Sequence, residues 1–185
     1  MNAKQRKKHK KNREKLEAIQ NSFMTDVYDN IRKFNDPLLS MPCKGILPEQ
    51  PFLKNIASEM INTLEALEHG VGLAAPQLGY MYRVICTNIG KGRPKIMVSP
   101  FYEVIGKSKS TQKEGCLSYP AVYVEVERHD DIRVYYRTIK GESMSKEVSG
   151  FEARVIQHEV DHLDGICLVG DKWRETSKSQ ELVAQ

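Results

Sequence analysis

Two histidines one helical turn apart, with a glutamate directly after the first, place the tightest constraint on this chain: His158-Glu159-Val160-Asp161-His162. On a helix, residues i and i+4 lie one above the other, so both imidazoles can reach a single ion. Glu159 then points beside that ion rather than at it, where a carboxylate can accept a proton from water. The flanking residues support a helix starting near Gly150. Ser149 and Glu152 have capping-box spacing, and Gly165 is placed to close the C-terminus. Phe151, Val155, His158 and His162 fall along one face of it.

Two imidazoles do not complete a catalytic site, which takes three protein ligands and keeps one position open. In one large class of peptidases the third ligand is a histidine six residues after the second, but Leu168 stands there. Cys116 is the better candidate, in the run Glu114-Gly115-Cys116-Leu117-Ser118. Gly115 lets backbone approach a site closely, and a thiolate favours transition metals over magnesium or calcium. The other cysteines are Cys43, Cys86 and Cys167. Cys86 lies in an apolar run and reads as a small buried apolar side chain. The four together do not make the dense disulfide frame of a small secreted domain.

The period of the apolar residues changes along the chain. Leu53, Ile56, Met60, Leu64 and Leu67 make a helical stripe over 52–68, with Gly70 as its expected left-handed end. Residues 82–88, 95–105, 121–127 and 131–138 alternate as strands, and the short links between them predict antiparallel pairing. Residues 35–51, punctuated by Pro37, Pro42, Gly45, Pro48 and Pro51, read as an extended loop. An amphipathic helix is expected around 14–33.

The net charge of +4 is unevenly spread. Residues 1–15 hold eight Lys/Arg and one acid, whereas the other 170 residues hold 20 basic and 23 acidic groups. Only the tail therefore offers a nucleic-acid contact, and a disordered tail that aids solubility fits it equally. The domain reading is a basic, disordered tail over 1–20, a catalytic domain over 21–170 and a polar tail over 171–185. No apolar run reaches the roughly 18 residues a bilayer span needs. No secretory signal opens the chain, and the expectation is a cytoplasmic protein without a membrane partner.

Three segments, GVGLAAPQ (70–77), EGCLS (114–118) and QHEVDHLDG (157–165), resemble the peptide deformylase family in order and in every defining position. The resemblance implies an α+β fold with antiparallel sheets packed around a central metal-binding helix. It implies removal of the N-formyl group from the initiator methionine of new polypeptides. Cys116, His158 and His162 match the metal ligands, and Glu159 matches the general acid/base. Gln77 and the backbone N–H of Leu117 match the donors to the oxyanion. Val71, Gly72 and Gly115 match substrate-lining positions, and Phe151 and Val155 are candidate walls of the methionine pocket. The implied cofactor is one divalent ion, commonly Fe2+, with Zn2+, Ni2+ or Co2+ able to use the same ligands. The implied partners are N-formylmethionyl peptides, with a ribosome or RNA contact through residues 1–15 as a separate expectation.

The chain departs from the family in two places. Leu39 follows Asp36-Pro37-Leu38 where the family usually has an arginine soon after, and only about 20 polar residues follow the metal helix. Two other readings remain open at this point. One is a metallopeptidase on the same helix. The other is a nucleic-acid-binding protein with a closed structural site in which Cys167 is the fourth ligand.

Overall fold

In the computed structural model, residue 10 and residues 13–15, 27–90 and 92–166 are described. Helix α1 (Leu53–Ala66) buries Leu53, Ile56, Met60 and Leu64, the stripe read from the sequence, and Leu67 follows as its buried C-cap. A second helix, α2 (Gly150–Leu163), carries the two histidines. Between them in the chain run seven strands: β1 (Gly72–Ala74), β2 (Val84–Thr87), β3 (Lys95–Val104), β4 (Lys109–Cys116), β5 (Tyr119–His129), β6 (Asp131–Arg137) and β7 (Ser143–Ser149). Five form one antiparallel sheet in the order β1-β2-β3-β6-β7, while among the described residues β4 and β5 pair only with each other.

Strand alternation explains how two helices share one sheet. In β2, Val84 and Cys86 turn to the core built on Leu53, Ile56, Met60 and Leu64 of α1. Ile85, between them, turns to the opposite core with Ala153, Ile156, Val160 and Leu163 of α2. All four residues of β2 are therefore buried. Each fully buried aliphatic side chain of this kind contributes about 1.5–3 kcal/mol. Further along the sheet, Ile132 and Val134 of β6 face α2 and are fully buried. The β4–β5 hairpin lies on α2 as well, so the helix is held between the sheet and the hairpin. Ala153 to Val160, His162 and Leu163 are all buried.

Several local expectations need correction. Gly70 does not take the left-handed conformation, since it is absent from the positive-φ glycines. Its value is space, because a Cβ there would lie 2.8 Å from Leu64 Cδ1. The Ser149–Glu152 capping box does not form: Ser149 makes no side-chain cap bond, and Glu152 accepts from Lys146 Nζ at 2.8 and 2.9 Å. Three strands were not foreseen, β1, β4 and β7. The 35–51 loop holds one 3-10 turn, Pro37–Ser40, capped by Asp36, which accepts from Leu38 N at 2.9 Å. Of the helix expected over 14–33, residues 14, 15 and 27–30 are helical and 16–26 lie outside the described residues. In the basic tail, Lys10 and residues 13–15 are helical, and Lys10 Nζ lies 3.9 Å from Glu14 Oε1. The remainder of that tail, Cys167 and the C-terminal tail lie outside the described residues.

Gly165 ends α2 as expected, at φ +73°. Its N–H donates to His162 O, and the N–H of Ile166 donates to Asp161 O, the two bonds of a Schellman motif. A Cβ on Gly165 would stand 2.9 Å from the backbone of Ser40 and Met41. Gly165→Ala should therefore lower stability by about 2 kcal/mol or more, because the left-handed cost of about 1–2 kcal/mol adds to a backbone clash. Thermal melting checks this, and a melting temperature equal to wild type would contradict it.

Candidate metal centre and active site

The three proposed ligands come from two elements that share no hydrogen-bonded ladder. Cys116 ends β4, while His158 and His162 stack one turn apart on α2. Yet one ligand atom from each lies within 4.8 Å of the others, close enough to share an ion. Cys116 Sγ is 3.2 Å from His162 Nε2. Burial alone would push the Cys116 thiol up, but the imidazoles of His162 and His158 outweigh it and hold it well below its ordinary value. That favours the thiolate, the form that binds metal.

His158 is oriented from behind. Its Nδ1 lies 3.1 Å from Glu114 Oε2, which fixes Nδ1–H as donor and leaves the other ring nitrogen for the site. Glu114 is buried, and Arg128 donates to it through Nε (2.7 Å) and Nη2 (3.0 Å). Arg154 Nη1 donates to it as well, at 2.6 Å. Burial would raise the Glu114 carboxyl, but hydrogen bonds from His158 and Arg128 hold it down at about 2. Burial would likewise lower His158, and the hydrogen bonds to Cys116 and Glu114 raise it to about 9. A metal bound there must displace that proton.

Glu159 sits where the sequence places it, beside the ligands. It is 4% exposed, and burial pushes its carboxyl up to about 7. Its Oε2 is buried without a hydrogen-bond partner among the described residues. A buried carboxylate oxygen left unpaired is costly unless something else meets it. A sulfur and two imidazoles with a free carboxylate at their side therefore fit a catalytic transition-metal site.

Gln77 is 1% exposed, and its amide orientation is fixed. Oε1 accepts from Ala74 N at 2.8 Å, so Nε2 faces Ser118 Oγ at 3.1 Å and Cys116 Sγ at 3.7 Å. A cavity of about 550 Å3 opens over the site. Gln77, Leu117 and Glu159 line it, as do Gly72 and Gly115. Val71, Phe151 and Val155 line it too; Val155 is buried, whereas Phe151 is 55% exposed at the mouth. Of the site residues expected from the sequence, all but His162 line this cavity, and His162 lies behind Cys116 at 3.2 Å. The sequence does not point to Ser118, which accepts from Gln77, nor to Arg128 and Arg154, nor to the part Glu114 plays in holding those two arginines.

Residues 28–178 match the polypeptide deformylase family. The chain belongs to the peptide deformylase family. It is 38% identical over 141 residues to the peptide deformylase of Thermotoga neapolitana, covering 75% of this chain and 84% of that one. The crystal structure of peptide deformylase from Thermotoga maritima shares its fold with a TM-score of 0.71 at 39% identity, over 75% of this chain and 93% of that one. A class I type b peptide deformylase from Acinetobacter baumannii, solved with Met-Ala-Ser bound, has a TM-score of 0.69 at 32% identity, over 75% and 94% of the two chains. The fold is accordingly the α+β deformylase fold, and the chain is a peptide deformylase family enzyme, a hydrolase.

Among the described residues, no helix is long and apolar enough to cross a membrane. In this deformylase fold Gly72 has a steric role that its place in the motif does not explain. A Cβ there would collide with Glu159 Oε1 and lie 2.9 Å from Val155 Cγ1. Gly72→Ala should leave metal content unchanged but lower kcat/KM by about 100-fold, the scale of a 1 Å misplacement of a reacting group. Metal analysis and steady-state kinetics on one preparation check this; wild-type kinetics would contradict it.

Proposed function

We propose that the chain removes the N-formyl group from the initiator methionine of new polypeptides, with Cys116, His158 and His162 holding a divalent metal and Glu159 moving the proton. The observation that carries this reading is the meeting of the three ligand atoms within 4.8 Å of one another beside a buried carboxylate whose Oε2 has no hydrogen-bond partner among the described residues. When bound, the ion supplies Lewis-acid chemistry, polarising the formyl carbonyl and making water nucleophilic at neutral pH. Thiolate and imidazole donors favour a transition metal, and Fe2+ is the proposed ion, with Zn2+, Ni2+ and Co2+ fitting the same donors.

The remaining steps fall to the chain's own residues. Glu159 takes a proton from the attacking water at its free Oε2 and hands it to the departing amine. Its raised pKa suits both halves of that task, because general acid–base catalysis works best near the operating pH. Gln77 Nε2 and the backbone N–H of Leu117 donate to the oxyanion as it forms. The bond from Ala74 N to Gln77 Oε1 keeps that amide aimed before substrate arrives, and removal of one such donor typically costs about 3 kcal/mol.

Val71, Phe151 and Val155 offer apolar walls to an unbranched side chain, and Gly72 and Gly115 let peptide backbone come close. The Acinetobacter baumannii relative with Met-Ala-Ser bound supports a peptide that begins with methionine. Such substrates arise at ribosomes, which favours a cytoplasmic site of action. The basic residues 1–15 suit a salt-sensitive contact with ribosomal RNA.

Glu159→Ala should keep its metal while formate release from a formyl-Met peptide falls by about 1,000-fold, within the range for losing a general acid–base. A near wild-type rate would remove Glu159 from the mechanism.

A further inference from the structure

The hairpin that carries Cys116 belongs to neither edge of the five-stranded sheet. Backbone fixes its far end, where β5 runs into β6 and Gly150 N donates to Asp130 O at 2.8 Å, so at the Cys116 end its position over α2 rests on side chains. Gln157 holds the far end, donating to His129 O at 2.8 Å and accepting from His129 N at 3.2 Å. His129 pairs with Lys109, at the opposite end of β4 from Cys116. Arg128 pairs with Glu114, but both belong to the hairpin; its reach to the helix is one bond, from Nη1 to Asp161 Oδ2 at 2.8 Å.

Arg154 is different. It stands one turn before His158 on α2, is 5% exposed, and reaches both strands of the hairpin. Nη1 donates to Glu114 Oε1 at 2.6 Å and to Val126 O at 3.0 Å. Nη2 donates to Ser110 O at 2.7 Å and to Ser110 Oγ at 3.2 Å. Its contact with Glu114 lies two residues before Cys116. The other oxygen of that same carboxylate meets His158 Nδ1.

We propose that Arg154 is a positioning residue for the metal centre: it fastens the Cys116 hairpin to helix α2 and holds Glu114 against His158, so that sulfur and imidazole meet at one point. A planar guanidinium suits this task because its fixed fork can hold a carboxylate oxygen and two backbone carbonyls at once. A lysine in its place keeps the charge but not the fork. The inference rests on the ligand assignment proposed above.

The test is a competition titration of Zn2+ on the full chain, with the visible spectrum of the Co2+-loaded protein and thermal melting measured in parallel. Arg154→Met should bind Zn2+ about 10- to 100-fold more weakly than wild type, the usual loss when a group behind a ligand is removed. Its Co2+ spectrum should shift, and Arg154→Lys should recover part of the affinity. If Arg154→Met melts earlier yet binds Zn2+ as wild type does, with an unchanged Co2+ spectrum, the arginine only stabilises the fold and the proposal fails. If Arg154→Met does not fold, Arg154→Lys decides: weaker Zn2+ binding supports the proposal and wild-type binding overturns it. Wild-type protein that binds no Zn2+ would overturn the ligand assignment and this inference together.

Discussion

A buried carboxylate, Glu114, joins the two halves of the site. It receives hydrogen bonds from Arg128 within its own hairpin and from Arg154 on the helix, and it orients the imidazole of His158. Taking such charges out of water is costly, and breaking a buried pair by removing one partner costs about 3–5 kcal/mol. A well-packed apolar cluster could hold hairpin to helix at least as firmly. It could not orient an imidazole. The polar solution makes sense only where geometry matters more than stability, as it does when a ligand on a separate hairpin must meet two on a helix.

Helix α2 shows the same balance along its length. It is buried on nearly every side, yet Arg154, Gln157, His158, Glu159 and His162 sit within it. A helix enclosed in this way normally has to be apolar throughout. Here most polar groups meet a defined partner: Arg154 the hairpin, Gln157 the backbone of His129, His158 the Glu114 carboxylate. Glu159 Oε2, by contrast, has no hydrogen-bond partner among the described residues. Its raised pKa and its missing partner have the same origin, burial with room left beside it for a reacting molecule.

Much of this was legible in the sequence because it is local. The stripe of α1, the i,i+4 pair on α2 and the alternation of β6 are periodic signals that need no tertiary information. Strands β4 and β7 escaped because their residues are mostly polar: in β7 only Val148 is buried, and β4 turns Glu114 inward rather than an aliphatic residue. Strand β1 is three residues long and has no period to read. The ligand trio could be named from motifs, whereas the cluster around Glu114 could not. Its members lie 14, 40 and 44 residues apart, and charged residues scattered at such distances usually face water. One hint was available, that Arg154 falls four residues before His158 and so on its face of the helix.

The central claim is that one sulfur from the hairpin and two imidazoles from α2 bind the same ion. X-ray absorption at the zinc edge of the Zn2+-loaded protein tests it most directly. The account predicts one sulfur and two imidazole nitrogens around the zinc, with the sulfur signal lost in Cys116→Ser. A zinc environment without sulfur in the wild-type protein, or one unchanged by that substitution, would contradict it.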